Sequence, residues 1–219
     1  MCGIAGMLGH PDSSVLHRMN RLQHHRGPDE NDVWMDEFIG FAHARLSIVD
    51  LQSSHQPMQG PEGTVVVMNG EIYNHRQLRD RHSTYPFTTS GDTEAVLAAH
   101  QSAQYGRGTL TAREHASWLA TLDGMYAIAL WNPKTGELIL ARDPMGIKPL
   151  VRTKVETTLM FASEVKAFRA HDAHRPELDE VAMAARLVWE YPLDGTTLLK
   201  GVHQVRPGTV ERWSLNAAG

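Results

Sequence analysis

Short extended runs joined by turn signals, with helical stretches gathered in blocks between them, leave this chain few ways to fold. Residues 2–8, 38–44, 46–49, 65–68, 125–131, 137–141, 159–162 and 209–215 read as extended, and Val65-Val66-Val67-Met68 is the strongest strand signal among them. Asn132-Pro133-Lys134-Thr135-Gly136 joins two of these runs as a hairpin. Val15, Leu16, Met19 and Leu22 recur at helical spacing behind Ser13 or Ser14 as N-cap, and Thr111-Ala112-Arg113-Glu114 fits a capping box opening a helix to residue 122. Residues 93–105, 165–168 and 179–190 also read as helical. Strands joined by short turns require antiparallel neighbours, and helices in blocks require layers, so the expected class is α+β, antiparallel sheets with helices packed outside. The 219 residues suffice for one large domain or two small ones. The turn-rich stretch 171–177 divides a body, 1–175, from a C-terminal extension, 176–219.

A formal net charge of -4 gives no basis for binding nucleic acid or an anionic membrane. A single cysteine excludes an internal disulfide and fits a reducing compartment. The apolar stretch 4–8 lacks the basic flank of a signal peptide, and no apolar run is long enough to span a bilayer, so the expected location is the cytoplasm. The 13 histidines lack the close pairs of a zinc site. His24 and His25 are adjacent and diverge, and His171 and His174 lie near Pro176 in a loop-like stretch. No metal and no cofactor are expected. Neither a GxxxxGK[ST] loop nor an SGGxDS loop is present, so this stretch is not expected to adenylate a substrate.

The candidate reactive group is Cys2, directly behind Met1. Removal of Met1 gives Cys2 both a thiol and a free α-amine, a nucleophile with its own base, since an α-amine titrates near roughly pH 8. The competing reading is a small buried cysteine opening a strand. Arg45 stands at a strand end, where a guanidinium grips a carboxylate through two parallel hydrogen bonds or makes a surface ion pair. Asn69-Gly70 is either a hairpin turn or a pair of donors, side-chain amide and backbone N–H, for a developing oxyanion. Asp92 is either a helix N-cap or an acceptor for an ammonium group. Glu71 is a weaker candidate for that second task. Arg26, in Arg26-Gly27-Pro28-Asp29, is a supporting residue, and Arg142-Asp143-Pro144 reads as structural.

Taken in order, these residues converge on a family. Cys2-Gly3-Ile4, the HRGPD at 25–29, RLSIVD at 45–50, HQPM at 55–58, NGEIYNH at 69–75 and GDTE at 91–94 resemble the glutaminase domain of glutamine-dependent asparagine synthetases, a class II, N-terminal nucleophile glutamine amidotransferase. LDGMYA at 122–127, RDPMGIKPL at 142–150 and FASEVKA at 161–167 extend the resemblance, and residues 195–208 resemble the segment leading into that family's synthetase domain. The resemblance implies an αββα sandwich of two antiparallel sheets. It places the nucleophile on Cys2, the oxyanion donors on Asn69 and Gly70, and glutamine binding on Arg45, Glu71 and Asp92, with backbone groups near Ile48 and Val49. It also implies L-glutamine as substrate and an ATP-dependent synthetase partner or further domain that receives ammonia. Val151-Arg152-Thr153 departs from the family, which has an aromatic after the KPL stretch. A stand-alone hydrolase of γ-glutamyl amides and a non-catalytic glutamine-binding module remain the alternatives.

Overall fold

The computed structural model describes residues 1–47, 50, 53–191 and 194–215. In chain order it contains β1 (Gly3–Leu8), α1 (Ser13–Leu22), a 3-10 turn (His24–Arg26), β2 (Glu30–Met35), β3 (Ile39–Arg45), β4 (Met58–Gln59), β5 (Val65–Ile72), α2 (His75–Arg81), α3 (Asp92–Gln104) and α4 (Ala112–Leu119). There follow β6 (Gly124–Asn132), β7 (Glu137–Arg142), β8 (Val151–Val155), β9 (Thr158–Ala162), a 3-10 stretch (Val165–Ala170), α5 (Glu180–Trp189), β10 (Val202–Gln204) and β11 (Val210–Ser214). The strands form two sheets, ordered β10-β8-β9-β1-β3-β2 and β11-β7-β6-β5-β4. Their pairings are antiparallel. The expected α+β sandwich is the fold observed.

The layers follow from the two-residue period of a strand. In β5, Val65 and Val67 join the apolar layer between the sheets, while Val66 and Met68 join the layer with Ala95, Val96 and Ala99 of α3 and Trp118 and Leu119 of α4. In β1, Ile4 and Leu8 face the other sheet, whereas Ala5 and Met7 pack with Val15, Leu16 and Met19 of α1 and Phe168 of the second 3-10 stretch. Phe41 and Phe161 meet edge to face in the middle layer at 5.8 Å between centroids. Gly6 makes room for that pair, because a Cβ there would lie 2.2 Å from the Phe161 ring.

Several local expectations change. The N-cap of α1 is Asp12 rather than Ser13 or Ser14: its carboxylate accepts the Val15 N–H at 2.9 Å and the Ser14 hydroxyl at 2.6 Å. An ionised oxygen is the stronger acceptor, and it draws the serine in as donor. β5 does not turn at Asn69-Gly70, since Asn69 pairs with Ala127 and Gly70 with Tyr126 along an unbroken ladder. Gly70 serves a close strand approach instead: a Cβ there would sit 2.3 Å from the Met125 carbonyl. The capping box of α4 is present, with Thr111 Oγ1 accepting from Glu114 N and Glu114 Oε2 accepting from Thr111 N. Beyond residue 176, β10 pairs with β8 and β11 with β7, adding an edge strand to each sheet. No helix among the described residues is long and apolar enough to cross a membrane.

Arg142 and Asp143 form no ion pair with each other. Each instead fixes the loop that follows β7. Arg142 donates to the carbonyls of Gly146, Lys148 and Val205 at 2.8, 2.7 and 2.9 Å. The buried Asp143 carboxylate accepts backbone N–H groups of Tyr126, Met145, Ile147 and Lys148 at 2.9–3.2 Å. Removing that acceptor strands four donors, each costing about 1–3 kcal/mol if left unpaired. Asp143→Ala should therefore lower unfolding free energy by about 3 kcal/mol or more, read as a fall in the urea midpoint, whereas a midpoint within experimental error of wild type would show that water replaces the carboxylate.

Candidate active site

The same alternation that builds the core delivers polar groups to one end of it. Cys2 keeps the parity of Ile4, His43 and Arg45 that of Phe41, Asn69 and Glu71 that of Val67, and Met125 that of Ala127. Cys2, Arg45, Asn69, Gly70, Glu71 and Asp92 line one cleft there, with Met1 at its mouth and Ser54, Gln56, Thr93 and Lys148 in its walls. The structure thus brings together the expected site residues except Ile48 and Val49, which lie outside the described residues, and Arg26, which stands behind the cleft.

Arg26 holds the start of β1. Its Nε donates to the Cys2 carbonyl at 2.9 Å and its Nη1 pairs with Glu164 at 2.8 Å. Glu164 also meets His25 and Lys166; burial pushes its carboxyl up, but the hydrogen bonds from Arg26, Lys166 and His25 outweigh that and lower its pKa to about 2. Gln23 donates to the Ile4 carbonyl at 3.2 Å, and Ser163 exchanges two hydrogen bonds with the Ile4 backbone. The chain around Cys2 is therefore fixed from three directions. The Cys2 sulfur lies 3.5 Å from Leu46 N and 3.6 Å from Leu46 O. Burial raises its thiol pKa, and the Leu46 N–H and nearby cations only partly offset that effect.

Arg45 is buried at the end of β3. Its Nη1 pairs with Glu30 at 2.8 Å and its Nη2 donates to the Asp50 carbonyl at 2.6 Å. His55 holds the other Glu30 oxygen at 2.8 Å. Burial pushes the Glu30 carboxyl up, but Arg45 and His55 more than offset this and leave its pKa lowered. Glu30, His55 and Asp32 are also the one set of possible metal ligands that converge among the described residues.

Asp92 opens α3 rather than capping it, since Gly91 is the N-cap. Its Oδ2 accepts the Ile72 N–H at 2.9 Å, tying the helix start to the end of β5, and burial raises its pKa. In the first turn of α3, Glu94 takes the N–H and hydroxyl groups of Thr88 and Thr89 at 2.8–3.0 Å and so holds the preceding segment to the helix.

Asn69 is the anomaly. It is 0% exposed, and neither its amide nitrogen nor its amide oxygen has a hydrogen-bond partner. Buried amides are almost always satisfied, and an unmet one costs about 1–3 kcal/mol. Here the unmet amide faces the cleft that also holds the sulfur. Beside it the backbone is secured by Gln56, which accepts from Met68 N at 2.6 Å and donates to Thr93 Oγ1 at 3.1 Å. Ser54, also buried with an unpartnered hydroxyl, completes this wall. Sequence reasoning missed Ser54, Gln56 and Lys148. Gln56 lay inside the quoted HQPM stretch and Lys148 inside RDPMGIKPL, but neither was read for chemistry.

Comparison with known proteins shows the family to which this fold belongs. Residues 1–218 match the family model described as a glutamine amidotransferase domain. The chain is 34% identical over 219 residues to asparagine synthetase [glutamine-hydrolyzing] 1 of Bacillus subtilis, covering 95% of this chain and 33% of that protein. It is 37% identical over 226 residues to a putative asparagine synthetase [glutamine-hydrolyzing] of Mycobacterium tuberculosis, covering 96% and 33%. The amidase chyE of Penicillium rubens is 34% identical, covering 95% and 31%. The chain thus spans about a third of the length of the curated relatives it matches. In fold it resembles glutamine phosphoribosylpyrophosphate amidotransferase from B. subtilis, with a TM-score of 0.61 at 20% identity over 98% of this chain and 49% of the other. With the fold, the cleft and a family match over nearly its whole length in agreement, the chain belongs to the class II glutamine amidotransferase domain family.

Proposed function

We propose that this domain hydrolyses the side-chain amide of L-glutamine to glutamate and ammonia through a thioester on Cys2. The observation that carries the reading is the Asn69 amide, buried, unpartnered and lining the cleft that contains the sulfur. A group left unsatisfied in the resting state is satisfied by the oxyanion that forms during attack, so it favours the transition state over the ground state.

In this reading the Met1–Cys2 bond is first cleaved. The freed α-amine of Cys2 then takes the thiol proton, which offsets the burial that keeps the thiol protonated. Arg45 receives the α-carboxylate through the donors left over from Glu30 and Asp50, while Asp92, assisted by Glu71, receives the α-ammonium. The thiolate attacks the γ-carbonyl carbon, Asn69 Nδ2 and Gly70 N–H receive the oxyanion, and the C–N bond breaks as the amine returns the proton to departing ammonia. Water then cleaves the thioester. Arg26 positions Cys2 through its carbonyl. Backbone groups at Ile48 and Val49 complete the glutamine pocket by resemblance.

Ammonia released into water is lost, so the domain works with an ATP-dependent synthetase, supplied by a partner or by a further domain of the same protein. The extent of the relatives beyond the shared third supports this. Residues 1–175 form the amidotransferase body and 176–219 the extension toward the synthetase. Its helix α5 leaves Val181, Leu187, Val188 and Trp189 exposed. A single cysteine, which fits a reducing compartment, supports a cytoplasmic location.

Three outcomes test the reading. Cys2→Ala should fold normally and release no glutamate from glutamine, and residual turnover in that variant would remove Cys2 as nucleophile. Asn69→Ala should lower kcat on the order of 100-fold with a smaller change in KM, while an effect confined to KM would make Asn69 a binding residue only. With Met1 attached, the burial-raised thiol should react with iodoacetamide along a pH profile whose midpoint lies above the ordinary thiol value of 9.0, and Met1 removal should shift that profile down. A midpoint below 8 in the Met1-bearing form would contradict the buried environment of the sulfur.

A further inference from the structure

One charged group in the cleft has no task in that mechanism. Lys148 is 6% exposed and lines the same cleft as Cys2, Asn69 and Met125. Its backbone is fixed on both sides, with its N–H donating to Asp143 Oδ2 at 3.0 Å and its carbonyl accepting from Arg142 Nε at 2.7 Å. Its ammonium forms no hydrogen bond or ion pair among the described residues. Glu71 lines the same cleft, yet the two form no ion pair. An ammonium that the resting fold leaves without a direct partner in the cleft is open to a carboxylate that arrives with a ligand, a charge-assisted contact.

Strand order fixes which part of a ligand meets this cation. Arg45 is bonded to Asp50, whose carboxylate accepts from Ser90 N at 2.7 Å, and Ser90 leads into Asp92. That chain of contacts runs through the loop entering β4. Lys148 hangs instead from the end of β7, and its loop is pinned to β6 where Asp143 accepts Tyr126 N. β4 and β6 flank β5 on opposite sides, and Asn69 and Gly70 lie beyond the Val65–Val66 stretch that β4 pairs, next to β6 on the other side. With a γ-glutamyl group held by its α-carboxylate and α-ammonium at Arg45 and Asp92, and its carbonyl oxygen at Asn69, the nitrogen of the scissile amide faces Lys148. Glutamine carries only hydrogens there.

We propose that Lys148 forms a carboxylate subsite for the amine half of γ-glutamyl-α-amino acids, so that the cleft takes γ-glutamyl dipeptides as well as glutamine. The inference rests on the N-terminal nucleophile reading above. The chemistry balances as for glutamine. The Cys2 sulfur bonds to the γ-carbonyl carbon, the C–N bond breaks, and the proton taken from the thiol leaves on the amino acid's nitrogen. Water then cleaves the thioester to glutamate and restores the thiol. Lys148 holds the carboxylate of the departing amino acid throughout.

The test compares γ-L-glutamylglycine with γ-L-glutamylmethylamide, which lacks the carboxylate, on protein freed of Met1, with L-glutamine as reference. The expected kcat/KM is about tenfold or more in favour of γ-L-glutamylglycine. Lys148→Met should bring the ratio close to one, and Lys148→Arg should restore part of it. A wild-type ratio near one, or a ratio that survives Lys148→Met, overturns the subsite while glutamine turnover leaves the glutaminase reading intact. Turnover of γ-L-glutamylglycine without turnover of glutamine upholds the subsite and defeats that reading. If no compound is cleaved, calorimetric titration of Cys2→Ala with the same pair decides the matter. Tighter γ-L-glutamylglycine binding that Lys148→Met abolishes supports the subsite, and equal or absent binding overturns it.

Discussion

The two-residue period of the strands, held in register by the layer between the sheets, is the constraint on which the site depends. Phe41, Trp131 and Phe161 fill that layer, and the inward positions at one end of it carry Cys2, His43, Arg45, Asn69 and Glu71. A slip of one residue between β5 and β6 would send Val66 and Met68 inward and turn Asn69 out toward α3. The apolar alternation that secures the core therefore secures the placing of the cleft residues as well, and a sequence that kept those residues but lost the alternation would not assemble them.

Within that frame, most buried polar groups at the cleft are satisfied before any ligand arrives. Arg45 is met by Glu30 and Asp50, Arg26 by Glu164 and Cys2, and Asp92 by Ile72. His43 follows the same logic. Its Nε2 reaches the Met68 carbonyl at 3.2 Å, so that nitrogen carries the proton, and its Nδ1 is left bare. Burial lowers its pKa to about 4, and the adjacent Arg45 adds to the effect, so the ring is neutral at physiological pH and adds no second cation beside the guanidinium. Its depressed pKa places its stabilising contribution above the ordinary histidine value of 6.5, with loss as pH falls toward 4. Against this background Asn69 keeps both amide atoms unpartnered and Lys148 its ammonium, beside the single open atoms of Ser54 Oγ, His43 Nδ1 and Arg26 Nη2.

Much of this was legible in the sequence because periodicity and caps are local. The hairpin between β6 and β7, the capping box at Thr111 and the long apolar run of β5 need no distant partner to be recognised. The missed elements lacked a local signal. β2 reads Glu-Asn-Asp-Val-Trp-Met, poor in strand formers at its start, and forms because β3 offers a partner edge. α2 has only Leu78 as a buried residue and no apolar stripe to detect. β8 stands where the chain departs from its family's aromatic pattern, and Val151 and Val155 nonetheless pack under the second 3-10 stretch with Phe168. Arg45 and Asp92 line the cleft with Cys2, but the partner that occupies Arg45, Glu30, is distant in sequence and carries no motif.

Asn69-Gly70 shows most clearly where local reading fails. The dipeptide is a strong hairpin signal, because both residues tolerate positive φ. Here a ladder of pairs with β6 runs from Val65 to Ile72, and the free energy of that ladder outweighs the preference of two residues. The glycine acts there through its lack of a side chain, not through an unusual backbone angle, and the asparagine places a carboxamide with no partner at the cleft. The turn reading and the oxyanion reading assign the same two letters to opposite physical causes. What separates them is the continuation, since Glu71 and Ile72 extend the alternation of β5 and a hairpin would have reversed the chain before them. Lys148 is the same lesson in charge. A lysine set between Ile147 and Pro149 is conspicuous only once Arg142 and Asp143 are seen to fix the backbone on both sides of it.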